Sequence, residues 1–258
     1  MNLIEYHTAI CAFGLFIGML LMLELGRRIG ARQRARITEG GAAGIGAVEA
    51  AIFALLGLLI AFTFQGAAAR FDARRSLIVQ EANNIGTAWL RIDLLPAGAQ
   101  PGMRELFRKY LDSRLATYHK IPDMVAVKAE LDHTAQLQSE IWNAALASQK
   151  EGGQAVVMGV LPVLNQMFDI VTTRTMAGQI HPPEILFVML AVMAFVSAFL
   201  AGHGMSGSKV RSWVHSIGFA GILAATVFVI MDMEFPRLGF IRVDSFDQVL
   251  VDLRQSMK

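Results

Sequence analysis

Histidine, cysteine and the carboxylates build most catalytic and metal sites, and this chain of 258 residues spreads them thinly. Its six histidines are His7, His119, His133, His181, His203 and His215, scattered without metal-ligand spacing. Only His203 and His215 are close enough in sequence to approach, across a short turn, which keeps a metal or proton site there as a weak reading. Cys11 stands alone in an apolar run, so no disulfide or cysteine-based metal site forms within one chain. No HExxH, phosphate-cradling glycine loop or nucleophile elbow occurs. The sequence therefore supports no enzymatic activity, no cofactor and no bound metal. The formal charge of +2 is too small to argue for nucleic acid as a partner.

The chemistry the chain does carry is charge set beside apolar runs. Arg27, Arg28, Arg32, Arg34 and Arg36 stand against one acid, Glu39, just after the first apolar run. Arg70, Arg74 and Arg75 close the second. Guanidinium groups at the end of an apolar helix can attract anions, or they can simply anchor the helix at the headgroups. A proton-driven stator would need an acid or strongly polar residue deep within a span. Here the acids sit at the ends. Glu49, one turn inside its helix, suits the headgroup region; a buried functional carboxylate is the sharper alternative.

The elements that place these charges are membrane helices. Hydrophobic residues make up 54% of the chain and charged residues 17%, with a mean hydropathy of +0.47, as in a membrane protein with a sizeable extramembrane part. The first span covers about residues 6–25. No basic n-region precedes it and no small-residue cleavage site follows, so it reads as a retained helix. Gly14 and Gly18, four apart, suit close helix packing. The second span, about 43–69, leads without a proline into a polar stretch, as one helix of about 45–95 or two nearly coaxial ones. That helix would be roughly 75 Å long, far more than a bilayer needs. Gly66 is the expected place for a bend. Spans three and four cover about 184–201 and 213–231, with Trp213 as an interfacial anchor.

Residues 70–182 hold twelve Lys/Arg and eleven Asp/Glu, a solvated composition. They read as all helix. Pro101 suits a first helical position, and Leu106, Tyr110, Leu111 and Leu115 share one face. Asp123 can cap the next helix, which Gly152-Gly153 stop. Pro162 should kink a helix of about 155–177. In the tail, Ser245 and Gln248 have capping-box spacing. Phe246, Val249, Leu250 and Leu253 form an apolar face for the membrane, a partner subunit or, by default, the chain's own bundle. The expected fold is all-α, with four transmembrane helices, a helical extramembrane domain between spans two and three, and assembly as a symmetric oligomer. The expected divisions are 1–69, 70–182, 183–235 and 236–258.

This order of elements resembles the layout of bestrophin anion channels. The run FTFQGAAARFDARRSLIVQEANN resembles the segment where the second bestrophin helix leaves the membrane, with Phe62, Arg70, Phe71, Asp72 and Arg75 at its marked positions. The chain is more closely similar to an uncharacterised bacterial membrane family described as having a bestrophin-like domain. LLGLLIAFTF, EANNIGTAWLR and DMEFPRLGFIRV carry that likeness. The tryptophan pair that usually follows the exit arginine is absent, and no acidic run follows Trp213 or Met231, so calcium gating is not carried over.

The resemblance implies a homo-oligomer, a pentamer, conducting small anions such as chloride through the inner membrane of a bacterium. It sets Phe62 at an aromatic neck. Leu58 and Ala54 lie one and two turns earlier on the same stripe, with Arg70, Arg74 and Arg75 at the mouth. A ring of such helices makes an apolar constriction that gates by dewetting. The alternative is a non-conducting scaffold or signalling protein that binds a partner through its helical domain. For orientation, residues 26–43 and 203–212 hold seven Lys/Arg and one acid, against six arginines near the opposite membrane face. The charge rule places those two loops inside and both termini and the helical domain outside. Bestrophins have the reverse.

Overall fold

The computed structural model describes residues 3–34, 45–207 and 212–257, and the regular structure among them is helical throughout. In order these helices are α1 (Leu3–Arg34), α2 (Ile45–Arg91), α3 (Gln100–His119), α4 (Met124–Ala155), α5 (Leu161–Gln179), α6 (Glu184–Gly204), α7 (Trp213–Met233) and α8 (Gln248–Ser256). Four stretches, carried by α1, α2, α6 and α7, are long and apolar enough to cross a membrane. The chain divides into two compact units. Unit 1 holds the described residues up to Ala69 with His181–Phe235; unit 2 holds Arg70–Ile180 with the chain from Pro236 on.

Unit 1 packs α1 against α6 and α7 around Leu15, Met19, Leu23, Ala194, Ala198, Ala220 and Ala224. Its tightest point is glycine against backbone. A Cβ on Gly26 would lie 2.0 Å from the Phe199 carbonyl oxygen, and one on Gly202 would lie 2.0 Å from that of Leu23. Only hydrogen fits there, and the two helix backbones touch. The close approach expected at Gly14 and Gly18 is therefore shifted. Gly18 meets the edge of the Phe195 ring, whereas nothing lies within 4 Å of a Cβ on Gly14. The contact with α6 backbone falls at Gly26, and at Gly30 beside Ser206.

The same contact corrects the reading of 26–43 as a loop. α1 stays helical to Arg34, because the backbone contact with α6 holds two glycines that would weaken an isolated helix by about 1 kcal/mol each. Arg36 and Glu39, like Lys209 and Arg211 of the other basic loop, lie outside the described residues. Helix α2 runs 47 residues without interruption, about 70 Å at ~1.5 Å per residue. Gly66, the expected bend, lies inside unbroken helix, where the alanines that follow it favour the helix and offset its cost.

Unit 2 wraps the second half of α2, α3, α4, α5 and α8 around Ile78, Ile85, Phe107, Tyr110, Leu111, Ile141, Leu164 and Met167. Pro101 sits in the first turn of α3. The Asp123 carboxylate accepts from the Val125 and Ala126 amides at 3.1 and 3.0 Å, capping α4. Gly153, at φ +56°, takes the chain out of helical geometry, and a π turn follows over Val156–Val160. Pro162 disturbs the helical run from just after its π turn, as expected of a ring that clashes with the preceding turn and lacks an N–H. It stands in the first turn of α5, and the ladder widens to π geometry over the five residues that precede α5.

The tail covers its own apolar face. Leu250 is buried in the unit 2 core, with Phe246, Val249 and Leu253 packed against it. Arg254 pairs bidentately with Asp112 at 2.7 and 2.9 Å, and Arg108 donates to the Met257 carbonyl at 2.9 Å. The expected capping box does not form. Residues 244–247 make a 3-10 turn, α8 starts without a side-chain cap, and Gln248 donates to Asp252 at 2.7 Å instead.

Candidate functional site

The α2 stripe proposed for a neck is laid open in the single chain. Ala54 is exposed, Leu58 is 50% exposed and Phe62 is 68% exposed. A second stripe, Leu56, Thr63 and Ala67, is buried in unit 1. The Thr63 hydroxyl donates to the Leu59 carbonyl within the helix. Of the four candidate spans, this one has the smallest share of residues covered by the rest of the chain. Such a helix leaves its apolar face for lipid or for other copies.

The three arginines beyond it have separate surroundings. Arg70 is half-buried. Arg74 is buried and donates to the Ala177 and Ile180 carbonyls at 3.0 and 2.8 Å. It thereby satisfies the last carbonyls of α5 and complements the negative end of its dipole. Arg75 pairs with Asp72 at 3.0 Å, and its guanidinium lies 4.2 Å from the Phe246 ring centre. Arg74 and Arg75 are thus held by contacts within unit 2.

The densest electrostatic feature is one that sequence reasoning missed. Glu81, fully buried, accepts from Arg114 Nε at 2.5 Å through one oxygen and from Arg174 Nη1 through the other. The Tyr118 hydroxyl accepts from Arg114 and donates to Glu81 at 3.3 Å. Arg174 continues to Asp247 at 3.1 Å, and Arg237 clasps the same carboxylate at 2.7 and 2.9 Å. Three guanidiniums lie 3.7 to 5.2 Å from the centre of the Tyr118 ring, where its π face attracts cations. One network therefore ties α2, α3, α5 and the tail.

Burial alone would push the Glu81 carboxyl up, but Arg114 and Arg174 hold it below the ordinary carboxylate range. Burial, followed by the charge of Glu81, pushes the Tyr118 phenol up to about 12. Glu81 thus stays ionised and Tyr118 neutral at physiological pH, which suits structure and not proton transfer. The signal was present in the sequence. Glu81 interrupts the apolar stripe of Ile78, Ala82 and Ile85, and Arg114 follows Phe107 and Leu111 on theirs. Opposite charges on two inward faces are each other's natural partners.

His203 and His215 engage other groups: His203 Nε2 lies 2.9 Å from Gln33 Oε1, and His215 Nδ1 lies 2.5 Å from Ser212 Oγ. Glu49 is half-buried one turn into α2. Beside Tyr118, unit 2 has a cleft of about 260 Å³ whose walls include Ile121, Arg237 and Arg242. A family model described as "Bestrophin-like domain" matches residues 13–245. No curated protein and no solved structure matches the chain.

Proposed function

The chain belongs to the bestrophin-like domain family, and from that premise we propose that it is an oligomeric anion channel of a bacterial inner membrane, pentameric like the bestrophins it resembles. The observation that carries this reading is the open face of α2. Ala54, Leu58 and Phe62 line up on the span that its own chain covers least. In a ring of copies they form stacked apolar collars, with Arg70, Arg74 and Arg75 supplying positive potential at the wider end. Arg74 contributes from an anchored position, since its hydrogen bonds are spent on α5. Calcium, cofactors and an enzymatic step form no part of the proposal.

The test is chloride efflux from liposomes holding the purified protein, with subunit number from mass measurement in detergent. Efflux above empty vesicles at a stoichiometry of five is expected. A well-folded oligomer that passes no anion refutes conduction and leaves the scaffold reading. One observation favours that second reading. Leu90, Leu94 and Met158 are exposed at the end of unit 2 where Arg91 donates to the Gly159 carbonyl, an apolar surface suited to a protein partner.

The charge rule sets the orientation we propose, with unit 2 outside the cytoplasm. An alkaline phosphatase fusion near Gly152 should be active. An inactive fusion at normal expression reverses the orientation.

A further inference from the structure

All three peptide links between the units, at Ala69–Arg70, Ile180–His181 and Phe235–Pro236, leave unit 2 from one end. Contacts inside unit 2 define that end. Arg74 donates to the Ile180 carbonyl at 2.8 Å, and the Arg237 guanidinium lies 4.5 Å from the centre of the Tyr118 ring, whose hydroxyl donates to Glu81. Helix α3 runs antiparallel to α2. Its start pairs Arg104 with Asp93, and its finish sets Arg114 and Tyr118 against Glu81. It therefore delivers the turn at 120–123 and the first residues of α4 to the same end.

Three large apolar side chains stand out from this end. Met124 is 67% exposed, Val125 is 82% exposed, and Phe240 is 67% exposed on a loop closed by the Val243 amide donating to the Pro236 carbonyl at 3.0 Å. The two loops flank the cleft walled by Ile121, Arg237 and Arg242. Lys128, one turn after Met124, is exposed, and Arg242 is partly so. The acids beside the apolar tips, Asp123 and Asp244, are already engaged. Asp123 caps α4, and Asp244 pairs with Arg237 and Arg242.

We propose that this rim docks on the bilayer surface, with Met124, Val125 and Phe240 seated in the headgroup layer and Lys128 and Arg242 reaching anionic headgroups. Apolar tips flanked by long basic side chains are what an interfacial seat requires. Connectivity selects lipid over a protein partner, because every link out of this end leads into membrane-spanning helix. The seat is the headgroup layer and not the hydrocarbon. Glu81 stands about 18 Å along α2 from Ala69 at ~1.5 Å per residue, and the turn after Tyr118 comes back only part of that way. The docking does not depend on ion conduction.

The experiment uses the full chain with Cys11→Ser, reconstituted in vesicles containing lipid spin-labelled on the headgroup. A nitrobenzoxadiazole dye is placed at Val125→Cys, at Phe240→Cys, or at Met158→Cys beyond the far end of α2. Only labelled protein with unchanged oligomer mass and melting temperature is compared. Dye at Val125 and Phe240 should lose most of its emission to the spin label, whereas dye at Met158 should keep nearly all of it. Equal quenching at the three sites overturns the proposal. A blue-shifted but unquenched dye at Val125 also overturns it, since protein and not lipid would then cover the rim.

Discussion

Glu81→Ala should loosen the tail of unit 2 and remove a large fraction of the unit's stability. The substitution leaves Arg114 and Arg174 buried beside an empty site, and removing one partner of a buried ion pair costs about 3–5 kcal/mol. Whole domains are stable by only about 5–15 kcal/mol, so the loss is a large fraction of what exists. Thermal melting in detergent should fall sharply, and protease should reach the chain after Pro236 at temperatures the native protein resists. Glu81→Gln, which keeps the shape and loses the charge, should fall between the two. A Glu81→Ala protein that melts with the wild type would remove the network from any structural role.

The same carboxylate predicts a direction with pH. Its folded pKa lies below the ordinary 4.5, so the stability it contributes is complete above about that pH and is lost as pH falls through the folded value. Melting temperature should hold level from neutrality down to about pH 5 and then decline. That acid limb should be shallower in Glu81→Gln, which has no proton to take up.

The second large effect concerns conduction. Phe62→Ala together with Leu58→Ala should raise basal chloride flux about tenfold or more, which needs only ~1.4 kcal/mol off the barrier. The dewetting barrier of an apolar neck falls as the opening widens. Both side chains are exposed in the single chain, so truncating them leaves no cavity in unit 1, and a rise in flux reads as a change in the pore. Unchanged flux in a double mutant of intact subunit number would remove these residues from the pore, and most of the case for a channel with them.

The readable parts of the sequence were those governed by short-range chemistry. Asp123 caps α4 because its side chain needs only the next three residues to do so. Length and composition alone marked the spans, and the lack of any proline before Pro96 allowed α2 to run on. What could not be read depended on partners far away in the chain. Gly26 and Gly30 look like helix breakers until the α6 backbone is beside them. Ser245 and Gln248 match a capping box, yet Asp247 is taken by Arg174 and Arg237, and the helix begins on the far side of it. Glu81 and Arg114 show in the sequence as charges on apolar stripes, but nothing local says which charge on which helix answers them. Each becomes explicable only when both helices are packed.

The bare contact of Gly26 and Gly202 joins helices that the ribosome makes far apart. α1 is complete at Arg34 and α6 begins only at Glu184. At ~5–20 residues per second, roughly 8–30 s separate the two. Throughout that interval the first helix waits with its glycine seam uncovered by α6, while the first part of unit 2 is made. Its natural partner cannot claim the seam in time to exclude competitors. Selection against wrong pairing must therefore come from shape, and a groove without side chains supplies it: a neighbouring helix with any Cβ at the crossing is held off by the width of a methyl group, and α6 brings Gly202.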